Sequence, residues 1–200
     1  GLILFVITLI VLILSKLLGR VNYFDEGQAR ELLALKKRLG YDDVRFRSDD
    51  CVVCGEICVD LVPRNVPRDR PLADLGMLTL GSLTALTGGI VPNSGIALAR
   101  LGLATAALGV IGDDEWGQLI RRRLDIENVD SQHLVVRTDR STSATLILVS
   151  DDSEHTFAFC PGASQTIDRA TCLARLDLFR ASRYALFGYY NLLPNLEHDL

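Results

Sequence analysis

Residues 88–117 read GGIVPNSGIALARLGLATAALGVIGDDEWG, and three patterns follow one another inside them. Ile96, Ala97, Ala99, Arg100 and Leu101 carry a helical spacing that stops at Gly102, a residue able to take the left-handed backbone that ends a helix. Ala104 to Ile111 is then an apolar run of strand length. Gly112-Asp113-Asp114 supplies a turn and a helix cap, and Trp116, Leu119, Ile120 and Leu124 lay down the apolar stripe of a second helix. A strand held between two helices over so short a stretch predicts an α/β domain, and places the cap reading of Asp113 and Asp114 ahead of a metal or acid–base one.

The flanking sequence continues the alternation. Residues 51–62 form a candidate first strand with Asp60 near its end, and Met77 to Leu86 is a second apolar stretch. Downstream, Leu134 to Val136, Ser143 to Val149 and His155 to Phe159 read as strands, the last two joined by the polar SDDSE tip as a hairpin. A helix near Asp168 to Leu176, a strand near Arg183 to Tyr189 and a helix start at Pro194 complete the pattern. Strands separated by helices predict a mostly parallel sheet, from which the hairpin is an excursion.

Composition narrows the partners. The chain has 200 residues, 48% hydrophobic and 23% charged, which excludes a disordered or low-complexity protein. With 21 basic and 25 acidic side chains the net charge is −4, so the basic footprint of a nucleic-acid binder is missing. Five cysteines are an odd count and suit a reducing compartment. Cys51, Cys54 and Cys58 include a CxxC pair, but a structural zinc needs a fourth ligand, and CVVCGEICVDLV reads as a buried strand in which cysteine is a small hydrophobe. No metal site is expected.

The first residues are of another kind. Leu2 to Leu14 is apolar apart from Thr8, and residues 1–18 as a helix would reach roughly 27 Å, near the thickness of a hydrocarbon core. A transmembrane anchor is expected there. Lys16, Arg20, Arg30, Lys36, Lys37 and Arg38 all follow the run, which puts the bulk of the protein on the cytoplasmic side of that membrane. Residues 19–50 read as an amphipathic connector with Asp25 and Gln28 at capping-box spacing, and residues 51–200 as the folded domain.

Several separated stretches share one resemblance. Residues 88–117, GEICVDLV at 55–62, STSATLILVSDDSEHTFAFCPGAS at 141–164 and FGYYNLLPN at 187–195 resemble, in order, the substrate-side motifs of the PfkB or ribokinase family of carbohydrate and nucleoside kinases. The resemblance implies a ribokinase-like three-layer α/β sandwich with a mostly parallel sheet and a β lid. Together with the anchor, the expected fold is that sandwich, truncated, behind an N-terminal transmembrane helix. It implies ATP-dependent phosphorylation of a hydroxyl on a sugar or related polyol, with ATP and Mg as cofactors and a homodimer through the lid as a possible assembly. Asp60, Gly88, Gly89 and Asn93 take the substrate-binding positions, and Glu154 and His155 those of lid contacts. The chain departs from the family pattern at Val91, at Gly95 and at Ser153-Glu154-His155. The family's Gly-Ala-Gly-Asp motif, which carries the general base, has no match between residues 51 and 200, so the base and the nucleotide site are expected beyond Leu200.

The same residues have ordinary roles. Asp60 can end a strand, and Thr87-Gly88-Gly89 before Asn93 can be a turn and a cap. Arg121, Arg122 and Arg123 read as a solvated helix face, and His133, His155 and His198 lack ligand spacing. Two other functions stay open: a nucleoside kinase of the adenosine type, and a non-catalytic, membrane-tethered sugar-binding protein.

Overall fold

The computed structural model describes residues 50–67, 74, 76–150 and 154–197. The chain divides into two units, and all described residues lie in the second, Val44–Leu200.

The central strand β1 (Cys51–Gly55) is buried along its whole length. It pairs in parallel with β10 (Tyr184–Gly188) on one side and β4 (Thr105–Leu108) on the other, and β4 pairs in parallel with β6 (Val129–Asp130). Successive strand side chains point to opposite faces. Cys51 and Val53 accordingly join one apolar cluster with Val91, Leu98, Ile120 and Leu124, while Val52 and Cys54 join another with Leu108, Ala163, Ile167 and Leu193. Covered on both faces, β1 needs no alternation of apolar and polar residues, which is why it reads as one apolar run.

Helix α1 (Ile90–Arg100) and helix α2 (Glu115–Ile126) supply the first cluster. The buried stripe of α2 is Gly117, Ile120 and Leu124, whereas Trp116, expected in the stripe, is 37% exposed. Gly117 takes the inward place because a Cβ there would collide with the Gly112 carbonyl. Arg121, Arg122 and Arg123 lie on the outer side of α2, where Arg123 pairs with Glu127 at 2.9 Å. Glu127 also receives two hydrogen bonds from Arg100, at 2.7 and 2.6 Å, tying the ends of α1 and α2 together. The second cluster is completed by the short helices α3 (Arg169–Leu173), α4 (Leu176–Ala181) and α5 (Pro194–Glu197) and by two 3-10 turns.

A second sheet stands beyond the carboxyl ends of the first, in the order β3, β2, β8, β9. Strand β2 (Cys58–Pro63) is antiparallel to β3 (Leu83–Gly88) and parallel to β8 (Ala144–Val149), which forms an antiparallel pair with β9 (His155–Cys160). Strands β5 (Val110–Gly112) and β7 (Val135–Arg137) form a parallel pair of their own.

Three expectations change. The strand expected over 51–62 is two strands in different sheets, broken at Glu56-Ile57. The strand expected over 104–111 breaks at Gly109, and the helix expected over 168–176 divides into α3 and α4. The expected fold class is corrected on its transmembrane helix: among the described residues no helix is long and apolar enough to cross a membrane. The α/β architecture with parallel strands is present, and residues 1–18 and the 19–50 connector, apart from Asp50, lie outside the described residues.

Candidate substrate-binding site

Strands β1 and β10 end in register at Gly55 and Gly188, and helix α1 starts against them. Gly55 has φ +143°, and a Cβ on it would strike the Gly188 carbonyl and come within 2.9 Å of Ile90 Cγ2. A Cβ on Gly188 would in turn press into Ile90. The two glycines let the first residue of α1 sit on the strand ends. In open α/β sheets, that carboxyl edge is where ligands bind.

The Gly88-Gly89 pair does the same for two carboxylates. A Cβ on Gly88 would occupy the place of the Asp60 carboxylate, and one on Gly89, at φ +86°, that of the Glu56 carboxylate. Gly89 is the N-cap of α1 and offers no side chain to the helix, so the open amides take backbone partners: Val91 N donates to the Glu56 carbonyl at 3.2 Å. Pro92 sits in the first turn, where a missing N–H costs no helical hydrogen bond. Asn93 follows one turn after Gly89, exposed, with no side-chain hydrogen bond among the described residues.

Asp60 is half-buried on β2, opposite Leu86 of β3 and Thr145 of β8, and Thr145 in turn lies opposite Phe159 of β9. Cys58, two residues earlier on the same face, donates its thiol to Asp60 Oδ1 at 3.5 Å. Burial pushes the Asp60 carboxyl above its ordinary range, and interactions with Cys58 and Thr145 offset part of that rise.

Glu56, 2% exposed, lies in the crossing from β1 to β2. Burial raises its carboxyl from 4.5 to about 7; the Asp60 charge adds to the rise, while Cys58 and Ser164 oppose it. Ser164 Oγ donates to Glu56 Oε1 at 3.5 Å and shares a 2.8 Å contact with Ser143 Oγ. Glu56 therefore touches both the start of α1 and the segment that follows the hairpin. Tyr189, just past β10, holds φ 55°, left-handed for a residue with a side chain. Burial raises its hydroxyl above the ordinary value, and the charges on Glu56, Cys58 and Asp60 add to the rise.

Of the expected site residues, Asp60, Gly88 and Gly89 are brought together, with Asn93 one helical turn on. Glu154 and His155 are not. His155 pairs with Val149, four residues along β8 from Thr145, or roughly 13 Å at the usual strand rise. Both are exposed at the far end of the hairpin, His155 with its ring edge-on to Phe157. Glu56 and Tyr189 were missed. A carboxylate inside the apolar run CVVCGEIC is a signal for the first, and a tyrosine just after the strand-ending Gly188 is a weaker signal for the second.

Asp114 proves to be a cap, accepting from Gly117 N at 2.8 Å. It also accepts from Thr142 N at 2.8 Å and Thr142 Oγ1 at 2.6 Å, fastening α2 to the root of β8. Cys51, Cys54 and Cys58 are buried in β1 and β2 as free thiols.

This geometry has known counterparts. Residues 48–195 match the pfkB family carbohydrate kinase model, and the chain belongs to that family of kinases. It is similar to fructokinase-1 of Oryza sativa subsp. japonica, 29% identical over 143 residues that cover 72% of this chain and 42% of the relative. A fructokinase of Rhizobium leguminosarum bv. trifolii is 33% identical over 142 residues, 71% of this chain and 40% of that one. The chain thus spans about two fifths of the length of these curated relatives. The structure of Arabidopsis thaliana ribokinase complexed with ribose and ATP aligns with a TM-score of 0.60 over 70% of this chain and 45% of that one; at 18% identity the likeness shows the fold.

Proposed function

We propose that the protein phosphorylates a hydroxyl of a sugar or related polyol at the expense of ATP, and that residues 51–200 supply its sugar-binding part. The observation that carries this reading is the packing of the Asp60 carboxylate against Gly88 at the foot of α1. A half-buried carboxylate with free acceptor capacity binds hydroxyl donors, and two adjacent glycines let a ligand approach the backbone closely. Asn93 adds both a donor and an acceptor on the same helix. The fructokinase relatives make fructose the first candidate.

The β2–β3–β8–β9 sheet is the lid. Its row Asp60, Thr145 and Phe159 runs from the carboxylate to an aromatic, so closure would bring an apolar cover over a bound sugar and keep out water that competes as phosphoryl acceptor. Glu154 and His155 sit at the end that travels furthest, and we assign them contacts made only on closure. Pairing of two lids would give the homodimer.

ATP, with Mg, supplies the transferred phosphoryl group and neutralises its charge. Among the described residues no group of three or more His, Cys, Asp or Glu side chains is placed to hold a metal ion. What these residues do is hold and orient the acceptor. Sugar-dependent ADP release by the full-length protein, over a panel of fructose, other hexoses, ribose and adenosine, tests this. Turnover with a sugar is expected; turnover with adenosine alone, or with none, would contradict it.

A further inference from the structure

We infer that Cys58 is a positioning residue for the sugar site: its thiol fixes the orientation of the Asp60 carboxylate and so sets how tightly the acceptor is held. The inference rests on the sugar-binding reading of Asp60 and adds to it a side chain that reads in the sequence as a small hydrophobe.

Residues two apart on a strand share a face, and Cys58 stands on the Asp60 face of β2, 4% exposed. Its Sγ donates to Asp60 Oδ1 at 3.5 Å and lies 3.8 Å from Thr145 Oγ1 on β8. On its other side Cys58 pairs with Gly88 of β3. A Cβ at Gly88 would meet both oxygens of the Asp60 carboxylate, so that carboxylate leans toward the Cys58–Gly88 pair. Cys58 and Thr145 are both buried, and on this side the carboxylate has protein neighbours where water would otherwise serve it.

A thiol is a weak donor, and its effect here is to choose a direction. With Oδ1 tied back, the remaining acceptor capacity of Asp60 is presented at the foot of α1, where the sugar hydroxyls arrive. Cys58, Thr145 and Gly88 belong to the same sheet as Asp60. The orientation is therefore set before a sugar binds, and binding loses less side-chain freedom.

Two substitutions separate positioning from packing. Cys58→Val fills the place with an apolar side chain of similar size and removes the donor, whereas Cys58→Ser keeps a donor and gives up the bulk of the sulfur. Full-length native protein and both variants are titrated by calorimetry with the best sugar of the panel. Cys58→Val should bind roughly two- to tenfold more weakly, the net worth of one hydrogen bond, and Cys58→Ser should recover most of that loss. A second readout needs no sugar. Burial raises the Asp60 carboxyl, and the Cys58 hydrogen bond is first among the effects that lower it. Followed by carbon NMR of protein labelled at aspartate, Asp60 should therefore titrate higher in Cys58→Val than in the native protein, and Cys58→Ser should bring it back. The thiol acts on Glu56 as well, whose resonance lies outside the aspartate label. Should Cys58→Val lack the native circular dichroism, Cys58→Ala takes its place. Binding weakened in Cys58→Ser as much as in Cys58→Val, or more, would show packing at work and overturn the proposal, as would an Asp60 carboxyl that titrates alike in all three proteins. If the native protein binds no sugar, the sugar reading fails, and the aspartate titration alone decides what the thiol does.

Discussion

Asp60 and Glu56 lie four residues apart in one apolar run and do different work. Asp60 keeps part of its carboxylate in reach of a ligand, whereas Glu56 is closed off against Gly89 and Ser164. Burial with few donors makes Glu56 a proton reservoir near neutrality. Its carboxyl titrates at about 7 in the folded protein against an ordinary 4.5, so between those values the unfolded chain has released a proton that the folded chain keeps. Stability therefore falls as pH rises through that window, by up to about 3 kcal/mol, and is level above it. Glu56→Gln cannot titrate, and the difference between its urea midpoints at about pH 5 and about pH 8 should be smaller than the native one. An unchanged difference would remove Glu56 from the account. Asp60 was legible because an acid at the end of an apolar strand is costly without a purpose. Glu56 was passed over because the apolar run masks the crossing: both strands beside it are buried, and no polar break marks the change of sheet.

Elements were legible where end chemistry is local. Gly112-Asp113-Asp114 announced the start of α2, and Asp168 caps α3 through Thr171 N at 2.7 Å. Reading failed where tertiary contact decides the end. Gly109 divides an apolar run that periodicity treats as one strand, and the stripe of α2 turns inward at Gly117 because a bare Cα fits against Gly112. Asp114 shows how one cap serves two elements. Partial burial raises its carboxyl, and hydrogen bonds from Thr142, Gly117 and Trp116 outweigh this to leave it below its ordinary value. Asp114→Ala removes a cap worth about 1 to 2 kcal/mol and frees the root of β8. A lower thermal midpoint is expected, together with faster hydrogen exchange at Thr142 and Ser143. An equal drop in midpoint with no change of exchange at Thr142 would show the cap acting on α2 alone. The native cap is formed at neutral pH and is lost as pH falls through the depressed value, so the variant's deficit should shrink in acid.

At the scale of the molecule, a sheet whose central strand β1 is covered on both faces holds the strand ends still, and a second sheet stands over them carrying Asp60. The order of the motifs made that arrangement legible; the reach of the hairpin was not, because strand register is set by pairing and cannot be read from one strand. Strand β10 has one neighbour among the described residues, and Phe187 on it is 49% exposed, next to Tyr189 and Tyr190 at 49% and 58%. An apolar strand edge is a template for pairing with another chain. Residues 50–200 expressed alone should therefore self-associate in a concentration-dependent way by light scattering, and Phe187→Lys should reduce it; a monomer at all concentrations would argue that the edge is harmless. The central claim is narrower, namely that the carboxylate of Asp60 against Gly88 is where the sugar hydroxyls bind. Titration calorimetry of the best sugar of the panel into full-length native protein and a folded Asp60→Ala variant tests it most directly. Loss of a buried hydrogen-bond acceptor worth about 1 to 3 kcal/mol predicts a dissociation constant weaker by roughly one to two powers of ten. An unchanged constant in a variant with the native circular dichroism would contradict the account.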